Sequence, residues 1–372
     1  MKRVVLSIAA GVCLIAFPIG CASTVTENIE RKPAGSPQEA VSSKTTGFID
    51  THNHLFGRFS TRLGGEEIDY EGAAKVAMAA MKQSGIKKMF IMPPPFSPGH
   101  RGQYTFDDLI GVVKKFPDRF AFLGGGGTLN VMIHQAVQDE TLKRGIESRF
   151  KRTAVEILSR GAIGFGELTA EHLSLRYDHP YESAPPDHPL FLLLSDIAAR
   201  HGVPIDIHME AVPKDMPLPK IRRLESPHNP KVLHSNIAAF ERLLAHNRNA
   251  KVIWAHAGWC NTGHRTPELC AELLGRHSNL YMSFKIRPDS MAQTRPLAED
   301  LRIKPDWLNL IRTYPDRFVI GSDHFYGSPR APTQIRPHRG RGVDTEHLLA
   351  ALSPELAHKV GYENALHLFK LK

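Results

Sequence analysis

Eight short β-branched and apolar runs recur between residues 47 and 322, with longer helix-forming stretches between them. They cover residues 47–52, 88–92, 120–124, 162–168, 203–208, 251–256, 280–284 and 317–322. Stretches 73–84, 149–160, 189–199, 236–245, 267–274 and 306–313 carry helical patterns, the first an alanine-rich segment stopped by Gly85. Buried strands alternating with helices pair in parallel. Eight such units closed on themselves form a (β/α)8 TIM barrel, an α/β fold whose active face is the C-terminal ends of the strands. An open doubly wound sheet is the competing architecture, but no Gly-x-Gly-x-x-Gly follows an early strand.

The residues that end those runs carry the chemistry. The first ends in Asp50-Thr51-His52-Asn53-His54. Side chains alternate along a strand, so His52 and His54 face one side and Asn53 the other. Their Cα atoms are spaced by roughly 6.5–7 Å, which lets two imidazoles converge on one cation. The fourth run ends at Glu167, the fifth at His208, the sixth at His256, and Asp323 follows the eighth. Each alone has a plain structural explanation, since the chain holds 20 histidines. Four histidines and two carboxylates reaching one rim from five strands form a much more specific pattern.

Composition excludes several classes. With 372 residues, 42 % hydrophobic and 23 % charged, the chain is neither disordered nor a disulfide framework. The net charge of +9 comes without a run of five like charges or a basic–aromatic stripe, which argues against nucleic acid as the partner. No Gly-x-Ser-x-Gly elbow or Cys-x-x-Cys is present, which disfavours serine-hydrolase and redox chemistry.

The N-terminal segment reads as a targeting signal over residues 1–20. Lys2 and Arg3 precede an apolar stretch over residues 4–19, too short for a spanning helix, and small residues flank Cys21. This resembles a bacterial lipoprotein signal, which implies lipidation of Cys21, a membrane anchor and export to the periplasm or cell envelope. Pro18 stands where such signals prefer Leu, and an ordinary cleaved secretory signal is the alternative. Residues 21–46 are polar and broken by Pro33, Gly35 and Pro37, the pattern of a flexible tether. The catalytic domain then spans residues 47–372. Cys260 and Cys270 are open to two readings, a disulfide in an oxidising compartment or two free thiols.

From about Phe48 onward the sequence resembles the amidohydrolase superfamily of metal-dependent hydrolases, in its amidohydrolase-related branch. The resemblance rests on FIDTHNH, GFGEL, PIDIHME, VIWAHAG and RFVIGSD, with GYENALHLF matching the last helix. It implies that His52, His54, His208 and Asp323 bind the catalytic metal. It makes His256 a second-metal ligand or a catalytic group, and Glu167 a bridging ligand in some branches but not in others. Imidazoles with a carboxylate suit Zn²⁺ and also serve Mn²⁺. Such an ion lowers the pKa of water from 15.7 to about 7. Asp323 can take the proton from that water and pass it to the leaving group, while His256 polarises the scissile bond or holds the water.

Weaker features surround this set. Lys285 and Arg287 follow the seventh run, where cations suit a substrate carboxylate. Residues 93–95 read as a stiff proline wall and residues 124–127 as a tight turn at the barrel mouth. Trp259, His264, Arg176 and His172 fall in strand-to-helix loops, and Arg336, Arg339 and Arg341 read as an exposed loop. The leading functional reading is a hydrolase cleaving an amide, lactone or other ester bond of a small molecule. A decarboxylase built on the same metal set is the first alternative. A non-catalytic metal-binding surface lipoprotein is the second.

Overall fold

All eight runs form strands of one sheet, and seven of the eight neighbour relations around it are long-range crossovers made by helices. The strands are β1 (Phe48–Phe56), β2 (Ile86–Ile91), β3 (Phe120–Phe122), β4 (Phe165–His172), β5 (Pro204–Met209), β6 (Lys251–Ala257), β7 (Leu280–Phe284) and β8 (Phe318–Ile320). The computed structural model describes residues 47–371 except 62–63, 140, 142, 176–178 and 332–340. The signal segment, Cys21, the 21–46 tether, Arg176, Arg336 and Arg339 lie outside the described residues. No helix among the described residues is long and apolar enough to cross a membrane.

The strand order is β3-β2-β1-β8-β7-β6-β5-β4, and beyond β4 comes the short strand Gly124–Gly125. Only Leu123 separates that strand from β3, so the two edges of the sheet belong to one run of chain. Ile163 N donates to Phe122 O at 3.0 Å and Gly124 N to Gly164 O at 3.2 Å, which joins the edges. The sheet therefore returns on itself as a parallel barrel, the TIM-barrel architecture expected from the rhythm of the runs. Strands buried on both faces are near-continuous in apolar character, and β5 is buried at every position.

Helices expected from sequence form as Tyr70–Ser84, Lys143–Ser159, Pro189–His201, Ile237–His246, Pro267–Arg276 and Pro305–Thr313, with shifts of up to three residues at their ends except that the second begins six residues earlier than expected. Asp69 caps the first by accepting from Gly72 N at 2.8 Å, and Gly85 ends it at φ 71°. Among the described residues four helices are additional: Asp107–Lys115, Leu129–Gln138, Arg341–Ala350 and Pro354–His358. Arg341 thus opens a helix. Cys260 and Cys270 are both free and buried, which decides between the two cysteine readings in favour of thiols.

The barrel interior is divided along its axis. Ile49, Phe90, Ala121, Leu123, Ile253 and Val319 pack together with Leu368 and Phe369 of the last helix, Asn364–Phe369. Phe90 and Phe369 meet edge to face at 4.7 Å between ring centroids. Beyond that apolar plug, toward the C-terminal ends of the strands, the interior turns polar. The register of β1 against β2 slips between Asp50 and Asn53. After the slip His52 meets Asp206 of β5, although Ile49, three residues earlier, already belongs to the interior plug.

Candidate active site

The six polar residues expected at the rim come together in one pocket. His52 and His54 come from β1, Glu167 from β4, His208 from β5, His256 from β6, and Asp323 from just past β8. All six are buried, Asp323 being the most exposed at 7 %. The histidines of β1 do not end their strand, which runs on to Phe56, and Glu167 is likewise followed by five more residues of β4.

Glu167 stands at the centre. Its Oε2 lies 3.3 Å from His54 Nε2 and 3.4 Å from His52 Nε2. Its Oε1 lies 2.9 Å from His208 Nδ1 and 3.2 Å from His256 Nε2. Asp323 Oδ1 joins the first group at 3.2 Å from His54 Nε2. In the second group His208 Nδ1 and His256 Nε2 are 3.1 Å apart. One carboxylate thus faces two sets of donors, one with each oxygen. His208 groups with Glu167 Oε1 and His256, and His52 contacts both sides, its ring 4.8 Å from that of His256.

This donor set fits a divalent cation. His52, His54 and Asp323 each offer a ligand atom within 4.8 Å of the others, and so do His52, Glu167 and His256. His52 Nε2 and His54 Nε2 are buried without a hydrogen-bond partner. His54 Nδ1 lies 2.9 Å from the Met92 carbonyl, which can only accept, so that nitrogen carries the hydrogen and Nε2 presents a lone pair to the pocket. Carboxylate oxygens crowded against ring nitrogens call for positive charge among them, supplied by a proton on an imidazole or by a cation in its place.

The electrostatics run in the same direction. Burial opposes charge on His52, yet Asp206 and Glu167 outweigh it and raise its pKa well above the ordinary value. Burial likewise opposes ionisation of Glu167, but His52, His208 and His256 hold its carboxyl well below the usual range. Asp323 is kept ionised against burial by Lys285 and His54. His256 is pushed well down, first by burial and then by the charge of Lys285, and stays neutral. The pocket therefore combines ionised carboxylates with two imidazoles, His52 and His54, that those carboxylates make receptive to positive charge, and with a third, His256, held neutral.

Two of these residues sit in the left-handed region, His256 at φ 71° and Asp323 at φ 55°. Non-glycine residues there cost about 1–3 kcal/mol and persist where surrounding contacts over-determine them. For Asp323 the contacts are visible. Asp50 accepts from Ser322 N at 3.0 Å and from Ser322 Oγ, and Asp323 N donates to His52 O at 2.9 Å. Gly321 precedes this turn, and a Cβ there would stand 2.8 Å from Ser283 Cβ and 3.1 Å from His52 Cβ. The close approach admits only glycine.

Glu167, His208 and Asp323 open onto a cavity of about 690 Å³. Lys285 and Arg287 both line it, as do Trp259 and His172, whereas His264 does not. His172 ends β4 rather than standing in a loop, 4.3 Å from His208 between ring centroids. Lys285 is buried and its ammonium pairs with Asp323 Oδ2. The Trp259 ring gathers three cations, with Arg287 at 4.7 Å, Arg223 at 4.8 Å and Lys285 at 5.0 Å. Arg287 is chelated by Asp289 at 2.8 and 3.0 Å. Pro94 and Pro95 form part of the wall, and Phe56 and Phe325 add an aromatic part.

Sequence reasoning missed four residues of this pocket. Asp206 approaches His52 Nδ1 to 3.1 Å, Asp50 holds the Asp323 turn, and Arg223 and Glu182 line the cavity. Asp50 and Asp206 each stand two residues before a site histidine, a spacing that was available as a signal.

Comparison with known proteins identifies the lineage. No curated protein matches the chain. Solved structures with similar folds include 2,6-dihydroxybenzoate decarboxylase from Rhizobium, at 14 % identity, TM-score 0.48, and coverage of 88 % of this chain and 99 % of that one. A probable 2-pyrone-4,6-dicarboxylic acid hydrolase from Acinetobacter baumannii, with citric acid bound, has 10 % identity, TM-score 0.47, and coverage of 87 % and 99 %. A dihydroxybenzoic acid decarboxylase from Polaromonas, with manganese and 2-nitroresorcinol bound, has 16 % identity, TM-score 0.44, and coverage of 88 % and 97 %. The sequence profile of the amidohydrolase family matches residues 49–371, nearly the whole of the described chain, and the chain belongs to that family.

Proposed function

We propose that this amidohydrolase is a metal-dependent hydrolase that uses water to cleave an amide, lactone or other ester bond in a small anionic molecule. The observation that carries this reading is Asp323, an ionised carboxylate fixed between His54 and Lys285 at the floor of the cavity. Hydrolysis needs a base that takes a proton from water and returns it to the leaving group. Asp323 is held in the form that accepts a proton, with one oxygen toward the donor set and the other toward Lys285.

His52, His54 and Asp323, with Glu167 facing them, would hold the ion, and His256 with Glu167 and His52 offers donors for a second. Zn²⁺ suits these donors best, and Mn²⁺ is also served. When bound, such an ion polarises a carbonyl and lowers the pKa of water toward 7. His256, kept neutral, can hold the water or the substrate oxygen by a hydrogen bond. Lys285 keeps Asp323 from taking a proton too early and can then follow the charge of the bound substrate.

The substrate proposed is a carboxylate. Arg223, Arg287 and Lys285 around Trp259 put three cationic donors in the wall of the cavity that Asp323 also lines. The same placement favours a second reading, a decarboxylase, because it can hold a carboxylate against the donor set. Turnover of a panel of lactones, N-acyl acids and aryl carboxylic acids in ¹⁸O-water separates the two. Hydrolysis puts label from the solvent into the product acid, whereas decarboxylation releases CO₂ and leaves the product unlabelled. Metal binding with no turnover of any compound would favour the non-catalytic reading. In the same assay Arg287→Gln should raise KM by about 10–100-fold with little change in kcat, the loss of one charge-assisted hydrogen bond worth ~1.5–3 kcal/mol.

From the segment around Lys2, Arg3 and Cys21 alone, export to the cell envelope and lipidation at Cys21 are part of the proposal. A Cys21→Ser chain that partitions into detergent as the native chain does would remove that part.

A further inference from the structure

The seam between β5 and β6 opens where two of the site histidines begin. The strands pair from Pro204 with Lys251 to Ile207 with Trp254, and the register goes no further. His208 and His256 lie just beyond the last pair. The left-handed backbone of His256 turns β6 out of the ladder. The carbonyls of Met209 and Ala255, each next to a site histidine, are therefore not paired across this seam.

One side chain takes both. Arg265 donates from Nη1 to Ala255 O and from Nη2 to Met209 O. Trp254 Nε1 also donates to Met209 O, at 2.8 Å, and its ring carries the Arg265 guanidinium at 4.1 Å from the centroid. Arg265 is 2 % exposed. Burying a guanidinium against neutral carbonyls is expensive, and an apolar side chain of similar volume would fill the space at lower cost. What an apolar residue cannot do is bridge two strand ends. A lysine cannot do it in the same way, because its donors radiate from one point whereas a guanidinium presents a planar fork.

We infer that Arg265 is a positioning residue that replaces the missing rungs of the β5–β6 ladder and so fixes the approach of His208 to His256. It touches neither imidazole and acts through the backbone on either side of them. The 3.1 Å between His208 Nδ1 and His256 Nε2, and their shared contact with Glu167 Oε1, depend on that clamp. The inference rests on the proposed reading of the pocket as a divalent-metal site.

The test uses the full chain with Zn²⁺ as the probe. Affinity is measured by competition with a chromophoric chelator, geometry by the visible spectrum of the Co²⁺-loaded protein, and folding by circular dichroism. The variants are Arg265→Lys, Arg265→Met and Arg265→Ala. Folded variants are expected to bind Zn²⁺ at least about tenfold more weakly, the low end of the range for groups that orient metal ligands. Their Co²⁺ spectra should shift, a change that a loss of stability alone would not produce. Guanidinium ion added to Arg265→Ala should restore part of the affinity, and it should do nothing for Arg265→Met, whose side chain fills the space.

A folded variant with wild-type affinity and spectrum overturns the inference while leaving the metal reading intact. Variants that do not fold even with guanidinium make Arg265 a residue of core stability and also overturn it. A wild-type chain that binds neither Zn²⁺ nor Mn²⁺ overturns the metal reading, and this inference with it.

Discussion

His52 Nδ1 lies 3.1 Å from Asp206 Oδ1 in the middle of the barrel, and both side chains are wholly buried. The carboxylate stands behind the ring on its Nδ1 side, leaving Nε2 toward Glu167, while for His54 the Met92 carbonyl accepts from Nδ1. Carboxylates placed behind metal-binding imidazoles orient the ring and raise its basicity, and their loss costs about 10–100-fold in metal affinity. Asp206→Asn is expected to lose affinity for Zn²⁺ in that range, measured by chelator competition on folded protein. Unchanged affinity would show that packing alone orients His52.

Asp323 is both a donor to the ion and, in the proposed mechanism, the group that moves the proton. Asn has the same shape and a carbonyl that can still coordinate, but it cannot accept the proton. General acid–base groups contribute about 10²–10⁴-fold, so Asp323→Asn should lose ~3–5 kcal/mol of transition-state stabilisation, read from kcat/KM. Metal content must be measured on the same sample. Full metal with near-wild-type turnover would move the proton to another group, and His256 is the nearest by position.

Glu182 gives the fold a pH dependence of its own. Burial raises its pKa from 4.5 to about 7, against the hydrogen bonds from Ser97 and Asn130. Between those values the folded chain binds more protons than the unfolded one. The contribution of this carboxyl is full below about pH 4.5 and is lost as the pH rises through about 7, a change of about 3 kcal/mol at ~1.36 kcal/mol per unit. Glu182→Gln removes it, so the stability of the variant relative to wild type should improve by that amount from pH 4.5 to pH 8. Urea unfolding at the two pH values measures the difference. A difference independent of pH would place the proton elsewhere.

The parts of the molecule legible in the sequence were those that repeat. Alternation of β-branched runs with helices announced a parallel barrel, and six polar residues at the ends of the runs announced the pocket. The helix Leu129–Gln138 was harder to see, because Leu129, Asn130, Val131, Ile133 and His134 are all buried and blur the apolar period that marks a surface helix. The split of the pocket into two donor sets was not legible either. It depends on Glu167 presenting its two oxygens to different histidines, which no spacing encodes. Arg223 escaped notice because it lies in the long connection after β5, and only folding brings it to within 4.8 Å of Trp259. Asp206 and Asp50 are within reach of the period-two rule, each standing two residues before a site histidine.

Elemental analysis of the chain purified without chelator tests the central claim most directly. At least one equivalent of a divalent metal per chain is expected, falling sharply in His54→Ala, with thermal stability restored on adding Zn²⁺ or Mn²⁺ to metal-stripped protein. A folded chain that carries no metal, and is not stabilised by either ion, would contradict it.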